Sequence, residues 1–488
     1  MRKRLALLLL LAFLLAVVSA AVFAQAEIDN TAEEHILSQL RRAGIPNAAV
    51  AVIQGEETSF TLKDSEADTL FAIASVSKPM TAFGVLLLED MGLLSINDPV
   101  NQHLPWFEVR YNDMPVPHEE ITISNLIHHT SGIAQNENRF PRAAPAETRE
   151  EFIARLIGME LDFYPSTNSA YSNMAYVILG LLIEAVSGQS YDDFMTHQVL
   201  HPLGLYDTFT NAGRARDTGR VVSGHVRGFL QVRPGTRGLE SNTANMPAGG
   251  IYSSVSDLAR WAGIQLGIVD VPEQFARLVQ RSHIPNLDAD VSFASGHFSD
   301  GGWVVDLENG YIEHSGGGTA GYAATIRIFP ESDTAVVVLS NLRGSQVENM
   351  GAMALHAVVD GTFTRVGLDF LEWMDMGFTL LLVAGAIYVG LFVRLMLKLR
   401  KRLRDGEIVK ANVSAISITG LISGPIFSIL SLVFYYIFPY VLLDTTRASL
   451  VDNWPISFAL GFIAIWMFVL YEVFAWWAKV FVNPRYSE

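Results

Sequence analysis

The sequence predicts a mixed α/β (α+β) domain: an antiparallel sheet flanked by helices, plus a helical subdomain, followed by an α-helical membrane region. Three observations predict it. Strand-like segments stand near both ends of the globular part, helix-like segments lie between them, and the composition turns apolar after Asp369. Residues 58–62 have strand character. Residues 323–329 and 334–339 read as paired strands, with Pro330-Glu331-Ser332-Asp333 as their turn. Residues 80–91 carry the apolar spacing of a buried helix that Gly92 ends, and 170–186 read the same way up to Gly188. The apolar stretches at about 376–397, 416–440 and 456–478 each exceed the roughly 20 residues that a bilayer crossing takes.

The chain has 488 residues, half of them hydrophobic, and a formal net charge of −16. That length predicts more than one structural unit. Met1-Arg2-Lys3-Arg4 is basic, residues 5–18 are almost uniformly apolar, and Ala24-Gln25-Ala26 has the small-x-small form of a cleavage site. Residues 1–26 therefore read as a secretory signal peptide. Residues 27–360 form one globular domain, 361–375 a linker, and 376–488 three transmembrane helices. Lys398, Arg400, Lys401, Arg402, Arg404 and Lys410 follow the first span, so the positive-inside rule places that link in the cytoplasm. The expected location is the cytoplasmic membrane, multi-pass, with the globular domain on the extracytoplasmic side. Glu472, within the third span, reads as snorkelling or paired with Arg394. No cysteine is present, which excludes disulfides, thiolate metal sites and a cysteine nucleophile. The acidic balance argues against nonspecific nucleic-acid binding.

Ser75 and Lys78 stand three residues apart where a helix begins, and such positions share one helix face. A lysine in reach of a serine hydroxyl can take its proton. Pro79 is compatible with a first turn, whose N–H groups have no intrahelical partner. A serine nucleophile also needs an oxyanion site and substrate contacts. Tyr171-Ser172-Asn173 can bring a phenol and an amide into one cleft, and Lys78 is the cation expected to lower the phenol's pKa. His314-Ser315-Gly316-Gly317-Gly318-Thr319-Ala320-Gly321 precedes the strand pair. A polar residue followed by small ones on an edge strand lets a substrate backbone lie alongside. A backbone N–H there, with that of Ser75, can form an oxyanion hole.

In this order the segments resemble the serine β-lactamase-like, penicillin-binding-protein-like hydrolases. That family includes class C β-lactamases, D-stereospecific peptidases, carboxypeptidases and esterases. The resemblance runs over residues 36–341 and takes in His129-Thr130-Ser131-Gly132, Pro202-Leu203-Gly204-Leu205 and Pro247-Ala248-Gly249-Gly250. It implies a transpeptidase-like fold, Ser75 as nucleophile, and Lys78 with Tyr171 as the base system. It makes Asn173, His314, Ser315 and Gly316 substrate contacts, and gives the oxyanion N–H groups as Ser75 and Gly317. No metal or organic cofactor is implied.

Two departures stand out. His314 occupies the place where β-lactamases usually carry lysine, a pattern more like the peptidase and esterase branches. An extra glycine before Gly321 leaves more than one candidate oxyanion N–H, of which Gly317 is taken. The three-span anchor resembles that of membrane-bound prodrug-activating peptidases, which remove an N-acyl-D-amino-acid cap. The implied function is a membrane-anchored extracytoplasmic serine hydrolase that works through an acyl-enzyme. Its expected partners are the lipid bilayer and peptide-like or ester substrates, D-residue peptides and N-acylated natural-product precursors among them. The alternative is a penicillin-binding or ligand-sensing module that acylates without efficient turnover.

Other motifs read as structural. His128 and His129 have no third ligand at metal spacing. Gly316 to Gly321 matches a dinucleotide fingerprint in letters, but β-branched residues and Pro330 follow it instead of a helix. Arg214, Arg216, Arg220, Arg227, Arg233 and Arg237 form a basic stretch. It reads as a solvated loop or a lipid-headgroup contact, against recognition of an anionic substrate group.

Overall fold

Strands from both ends of the globular part meet in one antiparallel sheet. The computed structural model describes residues 31–133, 149–235, 246–287, 296–317, 321–344, 346–367, 370–405, 408–410 and 482–484. Helix α1 (Ala32–Arg42) leads into β1 (Ala48–Gln54) and β2 (Glu57–Lys63). Far along the chain follow β3 (His297–Phe298), β4 (Val304–Asp306), β5 (Tyr311–Gly317), β6 (Ala323–Phe329) and β7 (Thr334–Ser340). The order across the seven-stranded sheet is β3-β4-β5-β6-β7-β1-β2. β1 pairs with β7 from Ala48↔Ser340 to Gln54↔Thr334. The expected strands fall within β2, β6 and β7. The expected turn is a short 3₁₀ segment closed by Asp333 in the left-handed region.

Every residue of β7 is buried, and β1 is exposed only at Gln54. The pleat sends alternate residues to opposite cores. Val50, Val52, Val336 and Val338 pack with Ile36 and Leu40 of α1 and with Met350 and Ala354 of helix α6 (Gln346–Val359). Ala49, Ala51, Ile53, Ala335, Val337 and Leu339 join the larger core on the other face. Burial on both faces explains why these strands read as continuous apolar runs.

That larger core holds α2 (Ser77–Asp90), α3 (Asn173–Ser187), α4 (Val255–Leu266) and α5 (Glu273–Ser282). α2 is buried continuously from Ser77 to Leu88, as a central helix must be. α3 starts at Asn173, later than the apolar pattern suggests, because Ser172 caps it by accepting the Ala175 N–H at 3.2 Å. It ends at Gly188 in the left-handed region, as expected.

The first apolar stretch lies in α7 (Phe370–Arg404), a continuous helix of 35 residues. α7 begins inside the expected linker 361–375, because Glu372 and Asp375 are buried against the globular part. Several of its side chains fall outside the described set, and among the described residues no single helix is long and apolar enough to cross a membrane. The expected signal peptide (1–26), the stretches 416–440 and 456–478, and Glu472 lie outside the described residues.

A close approach ties α3 to the segment Met246–Gly250. A Cβ on Gly180 would stand 2.2 Å from Pro247 Cγ, on a ring that cannot rotate away. Alanine gains about 1 kcal/mol of helix propensity over glycine, whereas overpacking costs about 1–3 kcal/mol. The steric cost should win, so Gly180→Ala should lower the midpoint of urea unfolding. An unchanged or raised midpoint would show that Pro247 can yield.

Candidate active site

Ser75 sits on a strained turn. The Ile73 N–H donates to Ile251 O at 2.9 Å. Ala74 then takes φ +48°, which costs a non-glycine residue about 1–3 kcal/mol. Ser77 holds the kink from both sides: its Oγ donates to Ala74 O at 2.7 Å and accepts the Ile251 N–H at 3.2 Å. A 3₁₀ turn (Ala74–Val76) runs straight into α2. It leaves Ser75 partly exposed between buried Ala74 and Val76.

Lys78 is fully buried, yet its Nζ has three oxygen neighbours: Ser75 Oγ at 3.2 Å, Asn173 Oδ1 at 2.7 Å and Ala248 O at 2.6 Å. The Ala248 carbonyl and the Asn173 amide oxygen can only accept. A lysine ammonium has three N–H donors. Each of the three oxygens can accept one of them, and Ser75 Oγ stands within hydrogen-bond reach of Nζ. Nζ also lies 4.6 Å from the Tyr171 ring centroid and 5.5 Å from that of Tyr176. The pair of residues three apart thus meets as the spacing predicts, and Asn173 comes from α3 to join it.

Tyr171 shares a hydrogen bond with Ser75, but burial is the larger influence and pushes its phenol up. The sequence expectation of a phenol lowered by Lys78 is not what the structure shows, because burial outweighs the hydrogen bond with Ser75. His129 fixes this tyrosine. Its ring packs 4.6 Å from Tyr171 and 4.4 Å from Phe298, and its Nδ1 accepts the Ser172 N–H at 3.0 Å. Burial, then the Lys78 charge, hold the His129 imidazole well below its ordinary value. His129, Phe298, the Ala248 carbonyl and the strained Ala74 are absent from the sequence-derived site. His129 and Ala248 do lie in the quoted segments, but a carbonyl or a ring face leaves no signature in a motif.

His314 reaches the cluster from β5, with its ring 6.4 Å from that of Tyr171. Its Nδ1 donates to Ser315 O at 3.0 Å, which leaves Nε2 as a buried acceptor without a partner. Burial and the Lys78 charge lower its pKa to about 3, against a smaller upward pull from the Ser315 carbonyl. The imidazole is therefore neutral near pH 7.

β4 pairs with β5 only as far as Val304↔Glu313. Beyond Glu313, among the described residues, that side of β5 carries no strand, and there the Ser75 backbone approaches. A Cβ on Gly316 would stand 2.3 Å from Ser75 N. The pleat turns Ser315 the other way, and its Oγ donates to Glu348 at 2.7 Å. Gly317 is exposed and pairs with Ala323.

Three of the six arginines of the basic stretch pair with acids. Arg214 pairs with Asp192 at 3.1 Å, Arg220 with Asp68 at 3.2 Å and Asp207 at 2.5 Å, and Arg227 with Glu372 at 2.6 Å. Arg237 lies outside the described residues. Among the described residues no group of three or more His, Asp or Glu is placed to hold a metal ion.

Gly316→Ala should abolish acylation of Ser75, since the added carbon meets backbone that cannot swing aside; wild-type labelling by a serine-directed probe would refute the close approach. His314 gives a pH test. Its folded pKa of about 3 lies below the ordinary 6.5, so between these values the unfolded chain binds a proton that the folded chain refuses. Its share of stability is complete above about pH 6.5 and is lost as the pH falls toward 3, on the order of a few kcal/mol. In His314→Asn, acid unfolding should become shallower in that window. An identical pH dependence in thermal melts would remove the buried neutral imidazole as its source.

The comparisons with known proteins agree with this geometry. The sequence model of a family described as Beta-lactamase matches residues 30–360. Protein flp of Staphylococcus aureus (strain COL) is 26% identical over 454 residues, covering 90% of this chain and 87% of that protein. Penicillin-binding protein 4* of Bacillus subtilis (strain 168) is 34% identical over 146 residues, 29% of this chain and 30% of that one. Among solved structures, a class C β-lactamase from Rhodobacter sphaeroides superposes with a TM-score of 0.55 at 22% identity, covering 68% of this chain and 99% of that one. A β-lactamase/D-alanine carboxypeptidase from Pseudomonas syringae gives 0.56 at 16% identity, covering 67% and 99%. The structural likenesses establish the fold. The match across residues 30–360, which contains Ser75 and every residue gathered around it, establishes the family: this chain belongs to the β-lactamase family of serine hydrolases.

Proposed function

We propose that the chain is a membrane-anchored serine hydrolase that cleaves amide or ester bonds of peptide-like substrates outside the cytoplasm. The observation that carries the chemistry is the placement of Lys78 Nζ, 3.2 Å from Ser75 Oγ with two other acceptors already served. Ser75 Oγ attacks the substrate carbonyl as Lys78, in its neutral form, accepts its proton. The oxyanion is held by the N–H groups of Ser75 and Gly317. Tyr171, neutral at rest because burial raises it, gives its proton to the leaving nitrogen or oxygen as the bond from the carbonyl carbon to that atom breaks, and takes up in exchange the proton that Lys78 received. The Ser75 ester remains. Water then attacks it, giving up a proton to the same system, and the acid departs as Ser75 regains its hydrogen. The substrate backbone lies along β5 beyond Glu313, and Asn173 and His314 flank it.

The names of two similar proteins, a penicillin-binding protein and a β-lactamase/D-alanine carboxypeptidase, favour acyl-D-alanine-like substrates. Neutral His314 offers a hydrogen-bonding group where a lysine would offer charge. This supports peptidase or esterase activity over efficient β-lactam hydrolysis. N-acylated natural-product precursors stand as one substrate class.

The anchoring reading rests on the leader sequence, the apolar stretches and the basic link after the first of them. Large apolar side chains exposed along α7, including Val383, Ile387, Val393 and Leu397, support it. The similarity to Protein flp spans 90% of the chain and so reaches into this region.

The test is labelling of the full chain in detergent with a fluorophosphonate, wild type beside Ser75→Ala. The expected result is an adduct on Ser75 in the wild type only, with release of product from a D-alanyl ester or peptide. Absence of label on a folded wild type would overturn the acyl-enzyme. Label without turnover on any such substrate would favour the ligand-sensing alternative.

A further inference from the structure

The hairpin His225–Gly228/Gln231–Pro234 grips α7 at two points. Arg227 pairs with Glu372 at 2.6 Å. One helical turn on, the Asp375 carboxylate accepts both N–H groups of the hairpin tip, Phe229 at 2.9 Å and Leu230 at 2.8 Å. Both acids are buried. The tip is a two-residue turn between Gly228 and Gln231, and both of its residues have positive φ, +58° and +60°. Such turns ordinarily use Asn-Gly, because bulky side chains are strained there. Here the strain holds two large apolar side chains outward: Phe229 is 37% exposed and Leu230 54%.

We propose that this tip docks into the headgroup region of the lipid bilayer and seats the hydrolase domain on the membrane surface. The proposal rests on the reading of α7 as the first span. The apolar run of that span begins at Met376, the residue after Asp375. At 1.5 Å of rise per residue, the bonds from Asp375 hold the tip within a turn of the boundary between water and lipid. Trp373 is exposed on the same turn of α7, in the place where aromatic side chains favour the interface. The hairpin root is fixed to the domain as well. The His225 N–H donates to Asn341 O at 2.7 Å and Gly321 O at 3.1 Å, and Gly321 stands two residues before β6. Membrane contact at the tip therefore bears on β6, the strand paired with β5.

The chain has no cysteine, so Leu230→Cys supplies a unique thiol for an environment-sensitive nitrobenzoxadiazole label. The full chain is reconstituted into phosphatidylcholine–phosphatidylglycerol vesicles, with and without a lipid carrying a headgroup nitroxide. Fluorophosphonate labelling of Ser75 reports that the variant is folded. The expected result is a blue-shifted emission and strong nitroxide quenching at position 230. A label at Met114→Cys, a residue 67% exposed on a small separate sheet, should show neither. A folded chain that floats with the vesicles while position 230 is quenched no more than 114 overturns the docking and leaves the anchor standing. A chain that fails to float overturns the anchor, and this proposal with it.

Discussion

A buried amine is tolerated only when its polar surroundings are complete, and the rest of this active site follows from that condition. Lys78 lies in a helix without an exposed face through its first three turns, and its Nζ finds oxygen on three sides. Each oxygen comes from a different segment: the strained turn at Ser75, the start of α3 at Asn173, and the Met246–Gly250 segment at Ala248. Loss of any one would leave either a buried charge or an unmet donor. The segments are locked in turn by close packing, Gly180 against Pro247 and Ser77 between Ala74 and Ile251. The reactive geometry is therefore a property of the core and not of a flexible loop.

The sheet supplies the other half. β5 is covered by β4 up to Glu313 and then left open on that side among the described residues, where Gly316 lets the Ser75 backbone come close. The pleat decides which side chains take part. His314 and Gly316 face the Ser75 side, whereas Ser315 turns to Glu348. Burial keeps His314 neutral and raises the phenol of Tyr171.

Much of this was legible beforehand. The central strands are buried on both faces, which makes an unbroken apolar run visible in any window, and glycines after α2 and α3 mark their ends with left-handed φ. Ser75, Lys78, Tyr171, Asn173 and His314 stood out because each lies in a short motif of fixed spacing. The start of α3 was displaced because a capping serine outweighed apolar periodicity, and α7 reached into the expected linker because two acids found buried partners.

Local spacing and composition by themselves determined the mixed α/β class of the globular part, the meeting of Ser75 with Lys78, and the change of character after Asp369. Those features depend on residues close together in the chain, and periodicity or motif records them directly. Tertiary structure alone decided the direction of the Tyr171 pKa, the neutral state of His314, the role of the Ala248 carbonyl, the turning away of Ser315 and the grip of Asp375 on the hairpin. Each of these depends on burial or on a backbone atom brought from far along the chain. Neither desolvation nor a carbonyl's position has a letter in the sequence.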